Sequence, residues 1–593
     1  MGCLFGYVGQ ANDNLLTKMA TRLSHRCHQG WEKDSLTLID GTVLAVGRGI
    51  SRWGKQTQIA QHQQQLMAYD GVFFEQTTTT NLCQANQTSR LTPEFFQPFK
   101  INPETAISTL TGAYVFAYSD GRTCYLCRDH AGIKTLYWTV YQGYLLFASE
   151  IKALFAYAPL PRRMRYSALP EYFTFSFIPT ERTMFENIYE LQAGTYLRFQ
   201  AGEVHLQRYF TVETGEWTAD APPMDYVELV RSRLIASTRD CLQVSRHTPA
   251  VFLSGGIDSS SVLATACQLL PEQQIPTFSV HFGTEYPNEN EFVRLMVERY
   301  KTDHHWLHIR PRDFLEDFRE IIWRLDDPIG DPVTVPNYLL AREAAKITDV
   351  VLNGEGGDPC FGGPKNIPML LARLYGALPN ESHGDWLERN YLHTFQRAFT
   401  DLSQLFTPDI LRGLDIESHL TQLLTPFFQA EKPVDFLNKL MCMNMRLKGA
   451  NLILVKVDKM SSANQLLALP PLFSKQIMEA SLQCPPALKL EGSIEKSVLK
   501  KAMMDFVPLP IIQRPKSGMM VPVRFWFQGE MQRYGKRLLS KSFLKRTGLF
   551  NPEYVQKLIS YDMETLHTGR HGLKLWMLIT FLLWYEQMIE AKN

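Results

Sequence analysis

Ser254-Gly255-Gly256-Ile257-Asp258-Ser259-Ser260 concentrates hydroxyls, glycines and a carboxylate directly after the apolar run Val251–Leu253. Glycines let backbone N–H groups approach an oxyanion closely, and a helix starting after such a turn adds partial positive charge at its N-terminus. Ser254, Ser259 and Ser260 supply hydroxyl donors, Gly255 and Gly256 supply close backbone, and Asp258 supplies a hard oxygen ligand for Mg²⁺ between phosphate oxygens. The lysine of a G-x-x-x-x-G-K-S/T loop is missing, so this is another kind of phosphate loop. A strand-to-helix turn without a ligand is the bland alternative, but Ser-Gly-Gly-x-Asp-Ser-Ser is far more specific than a lone glycine motif.

Three further segments share this chemical flavour: Leu352-Asn353-Gly354-Glu355-Gly356-Gly357-Asp358-Pro359, Val457-Asp458-Lys459-Met460-Ser461 and Arg514-Pro515-Lys516-Ser517-Gly518. With the first loop they resemble the pyrophosphate-loop synthetase motifs of the asparagine synthetase family. Arg128–Lys134 and Ala148–Ala153 are similar to motifs of that family's amidotransferase domain, so the resemblance covers nearly the whole chain. It implies an ATP-dependent carbon–nitrogen ligase that converts a carboxylate and ATP into an acyl-adenylate and pyrophosphate, after which an amine displaces AMP. On the same resemblance, Asp258 and Asp358 hold Mg²⁺, and Gly354 and Lys459 join the loop in binding ATP or pyrophosphate. Lys516 stabilises charge developing at the α-phosphate, and Glu355 takes a proton from the amine. The alternatives are a solvated surface pair for Glu355 and Lys516, and mere exposed helix charge for Lys459.

Departures from the family pattern narrow the chemistry. Asp358-Pro359 stands where Asp-Glu is usual, and proline removes a backbone donor. In Gln465–Ser474, Leu467, Leu469 and Ser474 replace charged residues. This predicts a remodelled, less polar pocket and argues against aspartate as substrate. Glutamine-dependent members begin Met-Cys-Gly, and after methionine removal the cysteine's own amine serves as base for its thiol. Here Met1-Gly2-Cys3-Leu4-Phe5-Gly6 places Gly2 at the nucleophile position and puts the Cys3 nitrogen in a peptide bond, unless processing removes Gly2. His25-Arg26-Cys27-His28-Gln29 lacks the family's aspartate, and Asp70-Gly71-Val72 replaces the Asn-Gly-Glu that grips the glutamine ammonium. Such losses are similar to those of β-lactam synthetases and lasso-peptide cyclases, in which a substrate amine attacks the adenylate.

The elements that must position these groups follow from the pattern. The chain has 593 residues, of which 45% are apolar and 20% charged. That length and balance suit several soluble domains with sizeable cores. Residues 1–210 read as β-rich: Thr42–Val46, Ala113–Tyr118, Tyr125–Cys127 and Tyr144–Ala148 are apolar runs between turn signals, and Gln56–Gln65 and Thr77–Thr80 read as exposed loops or edges. Thr211–Met224, with its Pro-Pro pair, reads as a linker. From 225 to 593, strands at Pro249–Leu253, Thr277–Phe282 and Asp349–Leu352 alternate with helices at Tyr226–Leu242 and Ser259–Leu270, and the chain is mostly helical after about 365. The expected architecture is therefore an Ntn-hydrolase-like sandwich of two β-sheets followed by a parallel α/β domain of the adenine-nucleotide α-hydrolase type with a helical C-terminal part. Cys124-x-x-Cys127 lies in a strand pattern without a second pair and reads as core. A net charge of +1 shows no basic stripe for nucleic acid. The apolar run Leu575–Trp584 is about half a membrane span, and no signal-like N-terminus is visible, so the expectation is a cytoplasmic enzyme without membrane or nucleic-acid partners.

Three readings stay open: a ligase or cyclase joining a small-molecule or peptide carboxylate to an amine in specialised biosynthesis, a glutamine- or ammonia-dependent amide synthetase, and a catalytically inactive scaffold. The substrates and the oligomeric state, a homodimer included, are not read from the sequence. Lys516→Ala is expected to lower turnover much more than ATP affinity, measured as separate steady-state constants.

Overall fold

The computed structural model describes residues 2–12, 14–52, 58–74, 91–211, 225–363, 366–375, 385–395, 402–429, 435–515, 518–560 and 571–590. The N-terminal half carries two six-stranded antiparallel sheets. One runs in the order Tyr189–Glu190, Tyr137–Tyr141, Tyr144–Ala148, Leu4–Gly9, Val43–Gly49, Trp31–Thr37. The other runs Glu203–Arg208, Thr195–Gln200, Cys124–Arg128, Gly112–Ser119, Gln65–Phe73, Gln58–His62. Their facing sides mesh through Leu4, Val8, Leu44 and Val46 against Leu66, Ala68, Val115 and Leu126. The outer side of the second sheet buries Tyr69, Phe116 and Tyr118 beneath the helices Pro93–Ile101 and Pro103–Thr109. Both faces are covered, so these strands read as continuous apolar runs rather than an alternation. Cys124 packs between the sheets and Cys127 under the helices, on opposite faces of one strand, which rules out a shared ligand. The glutamine-rich stretch contributes the edge strand Gln58–His62. Thr77–Thr80 and nearly all of the expected linker, residues 212–224, lie outside the described residues.

A five-stranded parallel sheet follows, ordered Asp303–His308, Pro276–His281, Ala250–Phe252, Val350–Leu352, Leu467–Leu469. The chain moves outward one way from Ala250–Phe252 and then restarts at Val350–Leu352 on its other side. Between these two strands the order reverses, and open α/β sheets bind ligands beyond the carboxyl ends at such a point. The helix His571–Tyr585, which contains the most apolar run, is buried in a core shared with both halves of the chain. Tyr172 of the N-terminal half donates its hydroxyl hydrogen to the Met577 carbonyl in this helix. Among the described residues no helix is long and apolar enough to cross a membrane.

A chain of buried charges seals the seam between the halves. Lys134 Nζ meets Asp458 at 2.5 Å and Asp70 at 2.9 Å. Arg26 donates to Glu150 at 2.5 Å, Lys152 pairs with Glu150, and both Lys152 and Lys459 reach Asp326 at 2.9 Å. Burial alone would push the Glu150 and Asp458 carboxyls up. His25, Lys152 and Arg26 instead hold Glu150 well below the usual carboxylate range, and Lys134 with Arg26 holds Asp458 down. Asp326 sits at φ 65° and ψ -63°, and the Asp327 N–H donates to the Leu325 carbonyl at 2.9 Å. This is a γ-turn in its rare and strained form. Replacing Asp326 leaves the buried Lys459 ammonium without a carboxylate and takes one of two from Lys152. Asp326→Ala should cost about 3–5 kcal/mol of folding stability, read from the shift of the urea unfolding midpoint.

Candidate active site

The two glycine-rich loops leave neighbouring strand ends. Val251 pairs in parallel with Leu352, so the turns after Phe252 and Leu352 emerge side by side. In the first, Gly255 turns the chain at φ 77°, and the helix Ile257–Leu269 begins at once. The Ser259 hydroxyl closes the loop, accepting from the Ser254 N–H at 3.1 Å and lying 3.0 Å from the Ser254 hydroxyl. In the second, a Cβ built on Gly357 would stand 2.1 Å from Asp258 Oδ1, and one on Gly354 would stand 2.5 Å from the Ser259 nitrogen. Only glycine at these places lets one loop press against the other.

This pressing brings Asp258 and Asp358, each in the first turn of its helix, onto one cation. Lys496 Nζ lies 2.6 Å from Asp258 and 2.5 Å from Asp358, with its side chain fully buried. Its backbone takes the left-handed conformation, φ 56°. That conformation costs a non-glycine residue about 1–3 kcal/mol. Motif reading missed Lys496. It follows a short hairpin, Leu490–Glu491 with Ile494–Glu495, and lies 238 residues from Asp258, so nothing local announces it.

Beyond the loops opens a cleft of about 1700 Å³, its mouth included. Ser254, Asp258, Ser259, Gly354, Glu355 and Asp358 line part of it, and apolar Phe278, Leu340, Val457 and Met520 line it together with polar His281, Glu289 and Asn337. Asn353 lines it too. Its Oδ1 accepts from the Glu355 N–H at 3.0 Å, whereas its buried amide nitrogen has no hydrogen-bond partner among the described residues. Motif reading missed Asn353 too. Two hard carboxylates meeting at a helix N-terminus match the ligand preference of Mg²⁺, and the donors around them match phosphate.

Several expected site residues fall elsewhere. Ser260 is fully buried and does not line the cleft. Lys459 is also fully buried and donates to Asp326 and the Leu325 carbonyl at the seam, so it is a structural cation rather than an ATP ligand. The helix Leu454–Ser462 explains the difference: Val457 and Ser461, one turn apart, face the cleft, while Asp458 meets Lys134 of the other half and Lys459 lies between Asp326 and the Tyr137 ring. Lys516 lies outside the described residues. Leu467 and Leu469 point into the core from their strand, and Ser474 caps the next helix by accepting from the Ile477 N–H, so none of the three lines the cleft or sets its polarity. Pro359 falls in the first turn of Gly357–Phe361, where a helix needs no N–H, so it costs the helix nothing there.

In the N-terminal half, Cys3 is fully buried, with its sulfur 3.5 Å from that of Cys27. Burial first, then the contact with Cys27, pushes its thiol well above the ordinary range. The Asp70 carboxylate is held by Lys134, and Val72 packs into the synthetase-side core.

The asparagine synthase family model matches residues 229–586, more than half of the chain, and the glutamine amidotransferase domain model matches residues 1–210. This chain belongs to the asparagine synthase family. It is similar to asparagine synthetase (glutamine-hydrolyzing) 1 of Bacillus subtilis (strain 168), 25% identical over 519 residues, covering 82% of this chain and 79% of that one. Asparagine synthetase (glutamine-hydrolyzing) 3 of the same organism is 27% identical over 438 residues, covering 70% and 68%. Amidase chyE of Penicillium rubens is 25% identical over 526 residues, covering 76% of each. The family and the loops together make the chain an asparagine-synthetase-like amide ligase. In this family member Gly357→Ala is expected to weaken nucleotide binding about tenfold or more while leaving the fold intact, because the new methyl group displaces the Asp258 carboxylate. Equilibrium titration with a fluorescent ATP analogue, alongside circular dichroism, checks this.

Proposed function

We propose that the chain adenylates a substrate carboxylate with ATP and joins the acyl group to an amine supplied by substrate rather than by glutamine. The convergence of Asp258 and Asp358 on Lys496, at the strand ends where the sheet order reverses, carries the reading. A carboxylate oxygen attacks the α-phosphorus and the bond to the pyrophosphate oxygen breaks. The N–H groups of the first loop stabilise the charge that leaves with pyrophosphate, and Lys496 positions Asp258 and Asp358 behind them. Asp258 and Asp358 would hold Mg²⁺, which when bound neutralises phosphate charge. The amine then attacks the acyl carbon, Glu355 accepts its proton, and AMP departs with the electron pair of the acyl–oxygen bond. From the sequence alone, Lys516 remains the candidate for charge at the α-phosphate.

Glutamine as nitrogen source is the competing reading, favoured by the names of the Bacillus relatives. A buried thiol held protonated, Gln29 in place of an aspartate and Val72 in place of a glutamate disfavour it, because each removes a group that hydrolysis needs. An inactive scaffold is disfavoured by a strained lysine and close glycine contacts gathered at the phosphate loops.

Asp258→Ala should abolish ATP–pyrophosphate exchange measured with a panel of carboxylates and amino acids, and exchange at the wild-type rate would refute the assignment. Incubation with glutamine should yield no glutamate above the Cys3→Ala background. Glutaminase turnover lost in Cys3→Ala, with a mature chain starting at Cys3, would overturn the glutamine-independent part.

A further inference from the structure

A second cleft, which shares no lining residue with the first, lies between the helix Leu15–Arg22, the segment 155–162 and the turn Glu586–Glu590. Its volume is about 1400 Å³, mouth included. Lys18 and Arg22, one helical turn apart, enter it from one side, and Arg162 enters from another. The half-buried Arg162 guanidinium lies 5.0 Å from the centre of the Phe155 ring. Burial, and then the charge of Arg22, lower its proton affinity. No carboxylate among the described residues pairs with any of these three cations. Glu590, the one acid among the described residues of the wall, is already bonded by Arg546 at 3.1 and 2.9 Å.

Like charges converging on a concave, partly desolvated space repel one another, and an anion between them removes the repulsion. A planar carboxylate is saturated by one guanidinium fork. A tetrahedral phosphoryl group offers oxygens in several directions and accepts from cations arriving on separate elements. We propose that this cleft is a second ligand site, taking a small phosphoryl-bearing polyanion independently of the synthetase loops. Phe155 and Leu160 provide an apolar wall for the uncharged part of such a molecule.

Calorimetric titration of the full chain with inorganic pyrophosphate tests it. The expected result is a binding event that Arg22→Gln and Arg162→Gln each weaken about tenfold or more, as loss of a charge-assisted contact should, with ATP affinity at the loops unchanged. This expectation does not depend on whether pyrophosphate also binds at Asp258. The absence of any pyrophosphate event sensitive to these substitutions overturns the proposal, as does citrate binding there more tightly than pyrophosphate. Should Arg162→Gln fail to fold, Arg22→Gln decides alone, because its side chain is only half-buried on a helix surface: unchanged affinity overturns the site.

Discussion

The buried ion pairs at the seam are the interaction on which the rest of this structure depends. Asp70, Glu150, Asp326 and Asp458 lie against Arg26, Lys134, Lys152 and Lys459, all nearly or wholly excluded from solvent. Removing such charges from water costs several kcal/mol per ion, and only close partners offset it. Any other docking of the halves would leave charges unmatched, so the pairs act less as net stabilisers than as a register. The strain at Asp326 fits that role. A conformation this costly persists only where the surroundings hold it. Here two ammonium groups and the Ile151 and Lys152 N–H groups do so.

That register reaches the active site through one helix. Asp458 fixes Leu454–Ser462 to Lys134 of the N-terminal half, Lys459 ties it to Asp326, and the same helix presents Val457 and Ser461 to the cleft. Lys456 adds a tie at 2.8 Å to Asp331, two residues before Val333 in the cleft wall. The N-terminal sheets, with their cysteine buried and Asp70 committed to Lys134, thus act as a brace for the synthetase side.

Local chemistry determined much on its own. The Ser254–Ser260 and Asn353–Asp358 loops were legible because each is contiguous and the glycines, hydroxyls and carboxylate it needs are adjacent in the chain. The layered β half and the parallel sheet were legible for a related reason: hydrophobic period and run length follow from which faces are covered. Tertiary structure decided what depends on distant segments meeting. Lys496 joins Asp258 only through the fold, Lys459 is a seam cation because its helix faces two ways, and Leu467 and Leu469 turn into the core from their strand while Ser474 caps the helix Lys475–Gln483. A side chain's type is written in the sequence. Its partner, and therefore its charge environment and role, is set by packing between elements that the sequence keeps hundreds of residues apart.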